Sequence, residues 1–91
     1  MHERPIRKIY YSSKLLKSLA GMPSFVKEAF LKREALFLVN AFHPSLATHK
    51  LHGKYKNYWA FTVIGQYRVM FSFNDSDEAN LINIGTHAIY K

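Results

Sequence analysis

The chain contains no cysteine. That single absence removes a disulfide-stapled module, a thiolate zinc site and a cysteine nucleophile, and nothing calls for an oxidising compartment. Glycine and proline are sparse, four and three in 91 residues. There is no Gly-rich phosphate loop, no Gly-x-Ser-x-Gly element, no internal repeat and no low-complexity stretch, so nucleotide hydrolases and serine esterases find no support. No apolar run approaches the roughly 18–20 residues that span a bilayer. The opening Met1-His2-Glu3-Arg4-Pro5 also lacks a signal-peptide apolar region, so the expected setting is the cytoplasm, with no membrane partner.

Acidic residues are few as well, six against thirteen basic ones. Residues 1–57 hold eleven of the bases and three of the acids, a net +8, whereas residues 58–91 carry a net −1. A field of one sign on one part of a small protein raises the local concentration of opposite charge, which points to a polyanion or an acidic protein as partner. The remaining composition, 48% hydrophobic and 15% aromatic, describes one domain over residues 1–91. At this length it buries roughly 60–65% of the surface that its unfolded chain exposes.

Ile6, Ile9 and Tyr10 alternate loosely with Arg7 and Lys8 and predict a strand over 6–11. Ser12 and Ser13 offer N-caps to a short helix, Lys14 to Ala20, with Gly21 placed as a left-handed residue after its end. Pro23 suits the first turn of a second helix running to about Asn40. In it Val26, Phe30 and Phe37 track one side, Phe25, Ala29, Leu36 and Val39 the adjacent one, and Lys27, Glu28, Lys32 and Arg33 lie outside. The Gly-Met-Pro connection makes the two helices an antiparallel hairpin.

Residues His43 to Asn57 show no period and read as loop. The period then becomes two. Trp59, Phe61 and Val63 share a face, as do Tyr67, Val69 and Phe71, joined through Ile64-Gly65-Gln66 as a β-hairpin. A turn at Asn74-Asp75-Ser76-Asp77-Glu78 leads to a last strand from Ala79 to Gly85. The fold class expected is therefore α+β: a small, largely antiparallel four-stranded sheet with a helical hairpin on one face, in the order β-α-α-β-β-β. The aromatic face is the expected core, and the other carries Arg68 near small Ala60 and Thr62, as a shallow groove with a guanidinium in its floor.

Several side chains bear chemistry. Arg68 stands inside an apolar strand, where it is either an ordinary solvent-facing arginine or a fixed guanidinium able to hold a phosphate at two points. His87 follows the last strand, a place where a solvated or capping histidine is more common than a catalytic one. His49 and His52 lie in Thr48-His49-Lys50-Leu51-His52-Gly53-Lys54-Tyr55-Lys56, a basic segment that would bind phosphates without further design. Together, histidines, an arginine and lysines suffice to cleave RNA through its own 2′-hydroxyl. One group withdraws the hydroxyl proton, another protonates the leaving 5′-oxygen, and cations stabilise the phosphorane. That chemistry needs no metal or other cofactor. His49 and His52 offer two nitrogens to zinc with no acidic or thiolate ligand nearby in sequence.

The run Phe42-His43-Pro44-Ser45-Leu46, then His49-Lys50-Leu51-His52-Gly53-Lys54, Tyr58-Trp59-Ala60-Phe61, Tyr67-Arg68-Val69-Met70-Phe71 and Ile84-Gly85-Thr86-His87 resembles the RelE/ParE superfamily of toxins from bacterial type II toxin–antitoxin modules. The resemblance covers nearly the whole chain. It implies a toxin whose RelE, YoeB and YafQ branches enter the ribosomal A site and cut mRNA. His49 takes the place of a YafQ-like histidine two residues before the Leu-x-Gly element, where a YoeB-like chain has a glutamate. Arg68 corresponds to a YoeB-like arginine, and His87 to a histidine after the last strand with an aromatic residue, here Tyr90, close behind. Thr62 and Gln66 depart from the YafQ-like pattern, which has a histidine and an acid there.

On that resemblance the expected roles are His49 as base and His87 as acid, or the reverse, Arg68 stabilising the phosphorane and Tyr90 orienting a base or phosphate. Lys50, His52, Lys54 and Lys56 would contact RNA. The expected partners are the ribosome, mRNA and an acidic antitoxin with which the toxin assembles. The ParE branch implies an alternative, a DNA gyrase inhibitor without nuclease chemistry, and a further one is an inactive antitoxin-binding module.

Overall fold

The computed structural model describes residues 3–74 and 77–90. Strand β1 (Lys8–Tyr11) leads through Ser12 into helix α1 (Ser13–Ala20), and α2 (Ser24–Val39) follows after a three-residue link. A 3-10 turn (Pro44–Leu46), the two-residue strand β2 (His49–Lys50) and a second 3-10 turn (Gly53–Tyr55) occupy the segment expected to be loop. The meander β3 (Trp59–Ile64), β4 (Tyr67–Phe73) and β5 (Glu78–Gly85) comes next, and a 3-10 helix (His87–Tyr90) ends the described chain.

The sheet has five strands, in the order β1-β5-β4-β3-β2, where four were expected. The additional strand is β2, whose His49 and Lys50 pair with Ala60 and Trp59. Two residues cannot display a period of two, so no sequence pattern marks them. β1 runs parallel to β5 and all other pairs are antiparallel, so the sheet is largely antiparallel as expected.

Both helices feed one core. Leu15 of α1 and Val26, Phe30 and Phe37 of α2 pack with Phe61, Val63, Val69, Phe71 and Leu81 of the meander. The hairpin register pairs Phe61 with Val69 and Trp59 with Phe71, which puts the expected aromatic face inward. Phe37 sits at the centre, stacked on Phe61 with ring centroids 4.9 Å apart and edge-on to Phe71 at 4.9 Å. At that separation these ring geometries add to the gain from burial.

Local signals behave as their chemistry dictates, with five differences. Ser12 caps α1, its hydroxyl accepting from the Leu15 N–H at 2.9 Å and donating to the Ile82 carbonyl at 2.6 Å. Gly21, however, is right-handed (φ −87°) and not left-handed, because its N–H closes the last turn onto Lys17 and Ser18. Pro23 caps α2 from outside and does not lie within its first turn. Phe25 and Val39 are 53% and 67% exposed, since α2 is apolar nearly all round and the sheet covers only one side of it. Arg33, expected outside, is half-buried, its Nε donating to the Val63 carbonyl at 3.1 Å and its Nη1 to the Ser45 carbonyl at 3.1 Å. The β3–β4 connection is tighter than expected, with Ile64 paired to Tyr67 around Gly65 (φ 54°), a left-handed position that glycine occupies without strain. The turn at 74–78 has its centre, Asp75 and Ser76, outside the described residues.

Candidate active site

The face of the sheet away from the helices is where the expected site residues meet. Thr62 pairs with Arg68, and Arg68 with Gly85, so these three form one rung across β3, β4 and β5. His49, Ala60, Met70 and Asn83 form the next rung on the same face, two residues along, with the core-facing Phe61–Val69–Ile84 rung between them. Directly paired residues point to the same side of a sheet, so His49 and Arg68 share a face. From strand and rung spacings they stand about 10 Å apart across the strands and about 7 Å along them. Their side chains can therefore reach one phosphodiester from opposite sides.

His49, Gln66, Arg68, His87 and Tyr90 line a single open cleft of about 510 Å³. Four of the five are the residues assigned catalytic roles from sequence. The fifth, Gln66, was singled out only as a departure from a family pattern, and the β3–β4 turn brings it into the cleft lining. The groove floor differs from expectation: Ala60, expected to open the groove beside Arg68, is fully buried and lines no open space. The terminal 3-10 helix packs back on β4 and β5 and brings His87 and Tyr90 over the sheet. His87, expected only to follow the last strand, opens a four-residue helix too short to leave a periodic signal in the sequence.

Each side chain is held by its surroundings. Arg68 Nη1 donates to the Gly65 carbonyl at 2.6 Å and to the Tyr67 carbonyl at 3.2 Å, so the turn that reverses the chain also fixes the guanidinium. His49 Nδ1 lies 3.1 Å from the Ala47 carbonyl. A carbonyl only accepts, so this bond assigns the hydrogen to Nδ1 and leaves a lone pair on Nε2 in the neutral ring, the arrangement a general base requires. Ala47 itself is left-handed (φ 49°), which turns its carbonyl and the following strand into place.

His87 and Tyr90 meet edge to face, ring centroids 5.8 Å apart. Tyr90 is half-buried, and burial pushes its phenol above the ordinary value of 10.0 while the positive charge of Arg68 pulls it partly back. The phenol is therefore a proton-bearing donor at neutral pH. Its hydroxyl is buried and has no hydrogen-bond partner among the described residues, a costly state that a bound acceptor would relieve.

The basic segment divides. His52 and Lys54 line a second cleft of about 320 Å³ with Leu51, Tyr55 and Tyr90. Lys50 and Lys56 are exposed and line neither cleft. His43, in the same region, uses Nδ1 to accept the Ser45 N–H at 3.1 Å and so caps a 3-10 turn. Among the described residues no cluster of three metal-ligating side chains occurs, and no helix is long and apolar enough to cross a membrane.

No protein-family model and no curated protein matches the sequence. Solved structures do match over nearly the whole chain. The toxin–antitoxin complex RelBE2 from Mycobacterium tuberculosis superposes with a TM-score of 0.79 at 10% identity, covering 96% of this chain and 99% of that one. The YoeB/ParE toxin from Agrobacterium tumefaciens gives 0.73 at 13% identity, with 88% and 98% covered. YafQ from E. coli strain BL21(DE3) gives 0.64 at 20% identity, with 90% and 94% covered. The chain thus has the fold of the RelE/ParE toxin superfamily, which its motifs resemble.

Proposed function

We propose that this protein is the toxin of a type II toxin–antitoxin module and that it cuts translated mRNA on the ribosome through the 2′-hydroxyl of the RNA. The observation that carries the reading is the convergence of His49, Arg68, His87 and Tyr90, from β2, β4 and the terminal 3-10 helix, on one cleft. Residues up to 41 positions apart in sequence have no packing reason to assemble proton-transfer groups and a guanidinium around open space.

In the proposed reaction His49 Nε2 takes the 2′-hydroxyl proton, and the oxygen attacks the adjacent phosphorus. The Nδ1 bond to Ala47 supports His49 as base over the exchanged assignment. Arg68, held by the turn carbonyls, stabilises the charge on the phosphorane without having to reorganise. His87 protonates the departing 5′-oxygen. The products are a 2′,3′-cyclic phosphate and a 5′-hydroxyl. Tyr90 donates its hydrogen bond to a phosphate oxygen or base, which satisfies its orphaned hydroxyl. Lys50, Lys54 and Lys56, with His52, hold phosphates of mRNA or ribosomal RNA.

The net +8 of residues 1–57 supports an acidic antitoxin as the regulating partner. End-group analysis tests the chemistry. Cut messages should end in a cyclic phosphate, and a single 2′-deoxynucleotide at the cut position should spare the message. A 3′-hydroxyl product, or cleavage of the deoxy-substituted message, contradicts the reading.

A further inference from the structure

The second cleft shares Tyr90 with the first and is built differently. It contains an aromatic pair and two cationic or protonatable groups where the first contains the proton-transfer groups. Tyr55 and Tyr90 have ring centroids 6.4 Å apart at 58°, and Tyr58 approaches Tyr55 from another side at 6.2 Å. The Lys54 ammonium lies 5.2 Å over the Tyr55 ring. Gly53 sets this arrangement: its φ of 66° starts the 3-10 turn that carries Lys54 and Tyr55 back toward the sheet.

We infer that the cleft formed by Leu51, His52, Lys54, Tyr55 and Tyr90 is a nucleobase-stacking subsite for the single-stranded RNA nucleotide adjoining the one that is cut. This rests on the proposed function and extends it to a residue, Tyr55, with no assigned role there. The volume of about 320 Å³ matches the low end of small-ligand sites and suits one base with part of its ribose. A half-buried ring beside a second tilted ring presents a face on which any base can stack, and the Lys54 ammonium that lies over Tyr55 is free to swing to the backbone phosphate as a base takes its place. Tyr90 separates the two clefts, so consecutive nucleotides of a strand laid across it place one base in this subsite and the neighbouring phosphate between His49, Arg68 and His87. Sequence-tolerant stacking here fits a strand whose scissile phosphate is selected by position.

Binding of a short 2′-O-methyl RNA oligonucleotide, which cannot be cleaved, tests the subsite apart from the reaction. The full chain should bind it saturably at low salt, and Tyr55→Leu, which keeps bulk but not the π-face, should weaken binding about 10-fold. Tyr55→Trp should bind as well as the parent or better, and its rescue shows that Tyr55→Leu did not fail through misfolding. Lys54→Ala should lower the slope of log affinity against log salt by about 0.7, whereas Tyr55→Leu should leave that slope unchanged. Unaltered affinity in Tyr55→Leu, or a Tyr55→Trp variant as weak as Tyr55→Leu, overturns the subsite. So does tight binding of an acidic peptide that depends on Tyr55 while RNA binding does not. If Tyr55-dependent binding is found but no message is cut, the subsite stands and the nuclease reading falls.

Discussion

Gly85 and Ile89 approach so closely that a Cβ on Gly85 would lie 2.5 Å from Cγ2 of Ile89. Gly85 is the last residue of β5 and the rung partner of Arg68, so its missing side chain is what lets the terminal 3-10 helix lie over the sheet. The same contact therefore positions His87 and Tyr90 against Arg68. Gly85→Ala should shift that helix and reduce message cleavage by about 100-fold, the scale of a 1 Å misplacement. Adding Ile89→Ala, which deletes the clashing methyl, should recover most of the loss. A purely destabilising effect would instead make the two substitutions add, which thermal unfolding and cleavage assays on the three variants distinguish.

Arg68 should not be replaceable by lysine. The guanidinium spends Nη1 on the Gly65 and Tyr67 carbonyls and still presents further N–H groups to a phosphate, a division a single ammonium cannot reproduce. Arg68→Lys should lose about 10²-fold or more in cleavage rate, with little change in stability. Near-parent activity in a single-turnover assay would mean that charge alone suffices.

Phe37 is the keystone of the core, fully buried between Phe61 and Phe71. Phe37→Ala should cost about 3–5 kcal/mol in denaturant unfolding, a large share of what a domain of this size possesses. Leu31→Ala, at a side chain 62% exposed, should cost under about 1 kcal/mol and provides the control.

Tyr11 donates its phenol to Glu34, and burial with that carboxylate pushes its ionisation from 10.0 up to about 12. The folded state thus holds this proton more tightly than the unfolded state. The resulting stabilisation is intact below pH 10 and is lost as pH rises from 10 through about 12. Tyr11→Phe should flatten that part of the stability profile, which urea midpoints across this range will show.

What the sequence displayed was whatever repeats. The meander, with Phe61 opposite Val69 and the aromatic face inward, follows from a period of two sustained over six or seven residues. The cap at Ser12 follows from one hydroxyl in the one place where an orphan N–H needs it. Strand β2 and the terminal 3-10 helix have two and four residues, too few to show a period, and tertiary pairing alone defines them. That is why His49 and His87 were legible as chemistry but not as positions. Gln66 and Tyr55 reach the clefts through a tight turn and a 3-10 turn, whose directions depend on the positive φ of Gly65 and Gly53 and on what they pack against. The exposure of Phe25 and Val39 was hidden for the opposite reason: α2 is apolar on more sides than one sheet can cover.

The central claim is that the cleft of His49, Arg68 and His87 cuts mRNA on the ribosome. Primer extension on a defined message in a purified translation reaction, with and without ribosomes, tests it most directly when the antitoxin-free protein is compared with a folded His87→Ala variant. Discrete cuts that require ribosomes and fall by about 10²-fold or more in the variant are the predicted result. Message left intact by the folded parent protein, or cuts that persist undiminished in His87→Ala, would contradict it.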